Sequence, residues 1–396
     1  MKVTFFSNFL NHHQLPFCKE MYRLLGEDFK FIATEPIDEG RLKMGYRDMS
    51  KDYPFSINTY DNEQLYNQGI ALGNTSDVVI IGSAPDKFIE QRLKYNKLTF
   101  RYSERIFKEG QWEILRPRVM GSLVKKHTIH YGKNLYMLSA SAYTPIDYAL
   151  AGAYIGKSYK WGYFPETKIY NPEELFKFKK NKDVEILWVG RFLDWKHPEK
   201  AIEIAKLLKN DGINFKLRII GIGELEDDLK GLLKKYNIED KVEFLGSMPP
   251  NKVREYMEKA NIFLFTSDYN EGWGAVLNEA MNSGCAVVAS HAIGSVGYLI
   301  KHKENGLVYK DDDFEDLYNI VRELAIDGEC CKYIGMNAYN TILNKWNASI
   351  CANNFLNLSE SLLNNKQLVI KDGPCSKAKI IPQSRMYDNI INKKSI

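Results

Sequence analysis

Residues 184–223 read VEILWVGRFLDWKHPEKAIEIAKLLKNDGINFKLRIIGIG. The run Val184–Val189 is strand-like and ends at Gly190. A helical pattern follows over His197–Lys209, with apolar residues three and four apart. A second strand-like run, Phe215–Ile220, ends at Gly221. This order predicts a parallel βαβ unit. The alternation continues toward the C-terminus. Strands are predicted at Val242–Leu245, Ile262–Phe265 and Ala286–Ala289, and helices at Glu224–Tyr236, Asn251–Lys259 and Gly274–Asn282. Short apolar strands separated by helices indicate a parallel sheet covered on both faces.

Toward the N-terminus the pattern repeats. Val3–Phe6, Phe29–Ala33, Asp77–Ile81, Leu98–Tyr102 and Asn134–Leu138 read as strands. Helical patterns lie at Leu15–Leu25 and from Pro85 to about Lys97. The chain of 396 residues is too long for one ordinary domain. The expected fold class is α/β, with two Rossmann-like doubly wound domains facing a central cleft. The boundary is expected within Lys160–Asp183, which carries Pro165 and Pro172. The predicted domains are 1–165, 166–345, a helical segment 346–365, and a tail or surface extension 366–396. Ligands are expected at the carboxyl ends of the strands.

With 44% hydrophobic and 13% aromatic residues, disordered and collagen-like chains are excluded. No apolar run approaches the roughly 20 residues of a bilayer span. The start, MKVTFFSNF, turns polar too soon for a secretory signal, so a cytoplasmic protein is expected. The six cysteines, at 18, 285, 330, 331, 351 and 375, show no zinc spacing and read as reduced core residues. A formal net charge of +4 is no nucleic-acid footprint. The segment Arg92–Lys133 is locally basic. It reads as a patch for nucleic acid, an anionic membrane face or an acidic substrate, or as a plain solvated surface.

Four strand ends carry the candidate chemistry. After Ile262–Phe265 comes EGWGAVLNE, residues 271–279. Gly272, Gly274 and Ala275 make that junction small, so a phosphate can approach the N–H groups of the following helix. Glu271 and Glu279 then face a bound ligand, or they form a solvated pair on a surface helix. Carboxylates beside a phosphate need cations and another task, such as accepting hydrogen bonds from sugar hydroxyls. Gly190, Arg191 and Lys196 at the end of Val184–Val189 offer close backbone approach, a planar fork and a point charge. Gly221 and Gly223 form a glycine turn, and Leu245 and Gly246 end a strand where a flat base can rest.

In this order the four motifs resemble the donor domain of family 4 retaining glycosyltransferases of the two-Rossmann, GT-B type. The matching pieces are V-G-R-x4-K at Val189–Lys196, G-x-G at Gly221–Gly223, V-x-F-L-G at Val242–Gly246 and E-G-W-G-x4-E-A-M-x-x-G at Glu271–Gly284. The resemblance spans roughly residues 184–345. It implies that Arg191 and Lys196 hold the donor diphosphate, and that Glu271 contacts the transferred sugar. It places backbone around Trp273, Gly274, Ala275 and Val276 on sugar and phosphate, and Glu279 on the ribose hydroxyls. The base would lie near Leu245 and Gly246. The implied donor is a UDP- or GDP-sugar, with no cofactor or metal required. The leaving phosphate would take the acceptor's proton. The implied acceptor is a glycan or lipid-linked oligosaccharide in bacterial surface-polysaccharide synthesis.

The first half matches less closely. His12 and His13 follow the first strand and either touch acceptor or phosphate, or sit in a cap in which Asn11 caps and Gln14 reaches back. Ser103, Glu104 and Arg105 follow another strand and either line an acceptor pocket or form a plain turn. Asp311-Asp-Asp313 contains D-x-D, but helix capping accounts for it without a metal. A nucleotide-sugar epimerase on the same fold, or an idle homologue acting as a binding partner, are the alternative readings.

Overall fold

The computed structural model describes residues 1–37, 48–180 and 183–392. The chain forms two compact units. One comprises Met1–Glu166 and Trp346–Ile381, the other Thr167–Lys345 and Pro382–Ile396.

The first unit is built on a seven-stranded sheet: β1 Val3–Ser7, β2 Phe29–Ala33, β3 Ser56–Asn58, β4 Val78–Ile81, β5 Thr99–Ser103, β6 Leu135–Ser139 and β7 Ser158–Lys160. The spatial order is β3-β2-β1-β4-β5-β6-β7, and the described pairings are parallel. Every residue of β1 and β4 is buried, as expected of strands covered on both faces. The helix Leu15–Leu25 packs with the helix Ala348–Leu363. Phe355 of the latter meets the rings of Phe17, Phe100 and Trp161 at 6.2, 5.1 and 5.8 Å. A fully buried aromatic of this kind contributes about 3–5 kcal/mol by truncation.

Arg92 is fully buried, and its guanidinium donates to the carbonyls of Gly73, Ser76, Asp77 and Leu98 and to the Thr99 hydroxyl. It ties the turn before β4 to the start of β5. Arg101 and Arg105 are also buried. Three cations of the basic segment are therefore internal and do not contribute to a surface patch.

The second unit has six strands: β8 Val184–Val189, β9 Phe215–Ile220, β10 Val242–Phe244, β11 Ile262–Phe265, β12 Ala286–Ser290 and β13 Leu307–Tyr309. Their order is β10-β9-β8-β11-β12-β13, again with parallel pairings. β11 and β12 are buried throughout, whereas β9 alternates over its first four residues, as a less covered strand does. The helix Gly328–Asn344 packs on β12 and on the helix Val276–Asn282. Gly335 permits this approach, because a Cβ there would stand 2.3 Å from the Gly284 carbonyl oxygen.

Three short strands, β3, β7 and β13, are absent from the sequence reading. Each has three residues, too few for a period to show. The helical segment 346–365 is not separate, since it completes the first unit. Nor are residues 366–392 simply an extension. Cys375 donates to the Lys160 carbonyl at 2.8 Å and Ala378 to that of Ser158 at 3.0 Å, so this stretch covers the outer edge of β7. Met386 and Ile390 are buried in the second unit. Residues 393–396 of that prediction lie outside the described residues. All six cysteines are free thiols, and Cys330 alone among them is not fully buried. Among the described residues no helix is long and apolar enough to cross a membrane.

Candidate active site in the second unit

The strand order reverses between β8 and β11. The chain winds outward through β9 and β10, then returns to β11, β12 and β13. The loops that follow β8 and β11 leave the sheet at their carboxyl ends there, and such a switch point is where doubly wound sheets bind ligands. The two loops, residues 190–197 and 266–275, carry Arg191, Lys196 and Glu271.

The loops are fastened together. Trp188 Nε1 donates to Thr266 Oγ1 at 2.8 Å, and that hydroxyl lies 2.7 and 3.0 Å from the carbonyl oxygens of Lys196 and His197. The Asp268 N–H donates to the Trp195 carbonyl at 3.0 Å. Lys196 Nζ donates to Glu271 Oε2, which also accepts from Ser267 Oγ at 3.0 Å. The Lys196 and Glu271 side chains are only 15% and 11% exposed, so their attraction is weakly screened. Lys196 Nζ also stands 4.4 Å from the centre of the Trp195 ring, a cation–π contact.

His197 adds a cation that the sequence reading did not single out. Its backbone is left-handed, φ 51° and ψ 51°, a conformation uncommon outside glycine. Its Nδ1 lies 2.9 Å from Glu199 Oε1, and its Nε2 lies 3.7 Å from Asp268 Oδ2. Asp268 first, then Glu199, push its pKa up to about 9, so the ring is an imidazolium at neutral pH. Burial works against ionisation of Asp268, but the His197 interaction and the Asn270 hydrogen bonds hold its pKa below the ordinary value. The signal available in sequence was an ionisable residue directly after Lys196, with acidic residues at 199 and 268.

The glycines are sterically required where strand ends crowd. At Gly221, φ +149°, a Cβ would stand 1.8 Å from the Gly190 carbonyl oxygen. At Gly223 it would meet Phe192 backbone at 2.5 Å. Gly190 donates to the Ile220 carbonyl and Gly221 to that of Gly246, so the ends of β8, β9 and β10 are laced into one rim. Leu245 and Gly246 are half-exposed there. At Gly274, φ +78°, a Cβ would strike the Phe265 ring at 2.4 Å. Among the described residues, the N–H groups of Gly274 and Ala275 have no hydrogen-bond acceptor.

Other expected residues fall into different environments. Arg191 is exposed, with no ion pair or side-chain hydrogen bond among the described residues. Gly272 is buried. Trp273 is fully buried and points inward, donating from Nε1 to Asn278 Oδ1 at 2.8 Å. Glu279 lies on the helix Val276–Asn282. Burial raises its pKa and Arg254 opposes this. No hydrogen bond or ion pair engages its carboxylate among the described residues. Asp313 accepts from the Asp316 N–H at 2.9 Å and caps the helix Phe314–Ile326, which accounts for one D-x-D aspartate.

In the first unit, Asn11 Oδ1 accepts from the N–H groups of His13 and Gln14 at 3.0 and 3.1 Å. Gln14 reaches Ser7 Oγ rather than back to Asn11. His13 stacks on Tyr163 at 5.5 Å, and the His12 ring lies 3.7 Å from that of His13. Ser103 and Glu104 are half-exposed at the end of β5. Arg105 corrects the expectation of an acceptor-side cation. It is buried, 3.8 Å from the equally buried Asp147 and 4.7 Å from the Tyr143 ring centre. Asp147 in turn accepts from the Ile106 and Phe107 N–H groups and Gln111. This is a buried polar cluster that holds the loop after β5.

Residues 171–341 match the sequence profile of the family described as Glycosyl transferases group 1. The amylovoran biosynthesis glycosyltransferase AmsK of Erwinia amylovora is 33% identical over 150 residues, 37% of this chain and 37% of that protein. A Campylobacter jejuni N-acetylgalactosamine-N,N'-diacetylbacillosaminyl-diphospho-undecaprenol 4-alpha-N-acetylgalactosaminyltransferase is 34% identical over 151 residues, 38% of this chain and 40% of that one. The chain spans about two fifths of the length of these curated relatives. Among solved structures, Anabaena Alr3699/HepE, in complex with UDP, superposes with a TM-score of 0.67 at 15% identity, over 91% of this chain and 100% of that one. That likeness extends across both units and establishes the fold. The chain has the two-unit fold of GT-B glycosyltransferases, and its second unit belongs to the glycosyl transferases group 1 family.

Proposed function

We propose that the protein is a retaining glycosyltransferase that moves a sugar from a nucleotide-diphosphate sugar to a hydroxyl group. The carrying observation is the Lys196–Glu271–Ser267 cluster, with the exposed Arg191 on the same loop as Lys196, at the switch point between β8 and β11. Arg191 and Lys196 bind the diphosphate. The free N–H groups of Gly274 and Ala275 add donors, and the rim of Gly190, Gly221, Gly223, Leu245 and Gly246 lets the nucleotide approach backbone. Glu271 accepts from hydroxyls of the transferred sugar, and Glu279 from those of the ribose.

In the reaction the acceptor oxygen bonds to the anomeric carbon as the bond from that carbon to the phosphate oxygen breaks. The electron pair leaves on the phosphate, and the acceptor's proton passes to a phosphate oxygen. Charge on the departing diphosphate grows, and Lys196 and Arg191 meet it where it develops. Attack and departure on one face retain the anomeric configuration without a separate strong base. We assign no role to a metal ion. On the acceptor side, His12, His13, Ser103 and Glu104 are the candidates.

Supporting the setting, the Erwinia relative's name refers to amylovoran, and the Campylobacter relative's to a diphospho-undecaprenol-linked sugar. HepE was solved with UDP, which favours a UDP-sugar over a GDP-sugar as first choice. A glycan or lipid-linked acceptor at the cytoplasmic side of bacterial surface-polysaccharide synthesis fits these.

The test is calorimetry against UDP-, GDP- and ADP-sugars without added metal, followed by NMR of the product with the bound donor. Binding of one donor and an α product from an α-linked donor are expected. An inverted anomeric centre refutes retention. Conversion of the donor to an epimer without any acceptor replaces transfer by isomerisation. Complete loss of turnover in chelator, restored by metal, refutes metal independence.

A further inference from the structure

The helix Pro117–Lys126 joins β5 to β6 on the outside of the first unit. It faces its core with Leu123, helped by Val119 and Met120. Its outward residues include Arg118, Gly121, Ser122 and Lys125, at the spacing of one helical face. The helix has no acidic residue. Arg116 is shared between Glu113, at 3.8 Å, and the Trp112 ring, and Lys126 lies 3.8 Å from Asp86. Among the described residues Arg118 and Lys125 have no acidic partner within 4 Å.

Large apolar side chains stand exposed at both ends of this basic face. Trp112 and Leu115 precede it, 52% and 81% exposed, and Ile129 and Tyr131 follow it, 59% and 77% exposed. Single exposed apolar residues are ordinary. Four of them bracketing a helix with unpaired cations form a pattern that suits an interface with water on one side. Tyr131 also borders a shallow recess with Ile155, His130 and Lys157, which extends the apolar edge beyond the helix.

We propose that this face docks on an anionic lipid bilayer. Arg118 and Lys125 meet lipid phosphates, while Trp112, Leu115, Ile129 and Tyr131 enter the headgroup and upper acyl region. A soluble polyanion would account for the cations, but it gains nothing from an aliphatic side chain as exposed as Leu115. A bilayer uses both features. The inference rests on the first unit alone and does not depend on the assigned donor chemistry.

Full-length protein is co-sedimented with phosphatidylcholine vesicles, with and without about one-third phosphatidylglycerol. Binding to the anionic vesicles only is expected, and it should weaken sharply in about 0.5 M salt, where charges are screened within a few ångströms. Arg118→Gln/Lys125→Gln should bind about thirtyfold more weakly, because each basic residue near an anionic surface contributes close to a factor of five. Trp112→Ser/Leu115→Ser should bind about tenfold more weakly with its salt dependence intact. Both variants should keep the wild-type melting temperature and affinity for UDP, which separates lost docking from lost folding. Absence of binding to anionic vesicles at low salt overturns the proposal. So does full vesicle affinity in Trp112→Ser/Leu115→Ser together with equal capture by a soluble polyanion, which would make the face a polyanion site.

Discussion

Replacing Lys196 by Met removes one partner of a mostly buried ion pair and leaves the other. Glu271 would keep only the Ser267 hydroxyl, 3.0 Å away, for a carboxylate that is 11% exposed. Breaking a fully buried pair from one side costs about 3–5 kcal/mol. The residual exposure of both side chains lowers this to about 2 kcal/mol here, since water can reach the orphaned carboxylate. For a unit of this size that is a fall of about 4–8 °C in melting temperature. Glu271→Gln keeps an acceptor for Ser267 and leaves Lys196 over the Trp195 ring, so it should cost about 1 kcal/mol. The double variant Lys196→Met/Glu271→Gln has no charge to strand. It should be at least as stable as Lys196→Met alone, giving a coupling of about 1–3 kcal/mol in the cycle. Calorimetric titration with UDP supplies the functional arm. Lys196→Met and the double variant should both lose about tenfold in affinity, whereas Glu271→Gln should bind UDP as wild type does, because UDP carries no transferred sugar. Single losses that add within about 0.5 kcal/mol would refute the pairing. UDP affinity restored in the double variant would mean that Lys196 matters only for positioning Glu271.

The remaining expectations are quicker to state. Arg191→Ala should leave the melting temperature within about 1–2 °C, as an exposed unpaired side chain does, while UDP affinity falls; a stability loss of several degrees would show that Arg191 has a structural partner. His197 has a folded pKa raised from 6.5 to about 9, so its stabilisation is complete below pH 6.5 and is lost as pH rises through about 9; His197→Asn, which tolerates the left-handed backbone, should flatten thermal stability against pH across that window. Gly221→Ala should unfold or strongly destabilise the second unit, whereas Gly246→Ala, at φ +67° with open space around the new methyl, should cost about 1 kcal/mol; equal melting temperatures would refute the close approach at Gly221. Arg92→Lys should lower the melting temperature of the first unit by several degrees, because an ammonium has three donors and cannot reach the four carbonyls and one hydroxyl that the guanidinium serves.

The second unit was legible in sequence because four of its six strands are four to six residues long and mostly end in loops with marked glycine or charge. Val184–Val189, Phe215–Ile220 and Ile262–Phe265 are found where the apolar runs lie. Short edge strands such as Ser158–Lys160 carry no period and are made by their neighbours, here by Met137–Ser139 on one side and the returning chain on the other. The candidate site was legible as a set of residue types, and the switch point then brings Lys196 to Glu271 across 75 positions of sequence. His197 was missed because a histidine after a lysine has no distinctive spacing. Its environment arises only when the loop 266–271 closes over it. Arg105 was misplaced because a charged residue after a strand looks exposed until its buried partner, Asp147, is known.

The chain passes between the two units three times, after residues 166, 345 and 381. This imposes an order on synthesis. When residue 166 leaves the ribosome, the sheet of the first unit is present but Phe17 and Trp161 lack Phe355, which is almost two hundred residues away in translation. The second unit can condense around its sheet before that cover arrives. The unit that begins first therefore matures after most of the one that begins second. A chain stopped at residue 345 would leave Phe17, Phe100 and Trp161 without Phe355, and apolar surface exposed in this way makes an intermediate prone to aggregate.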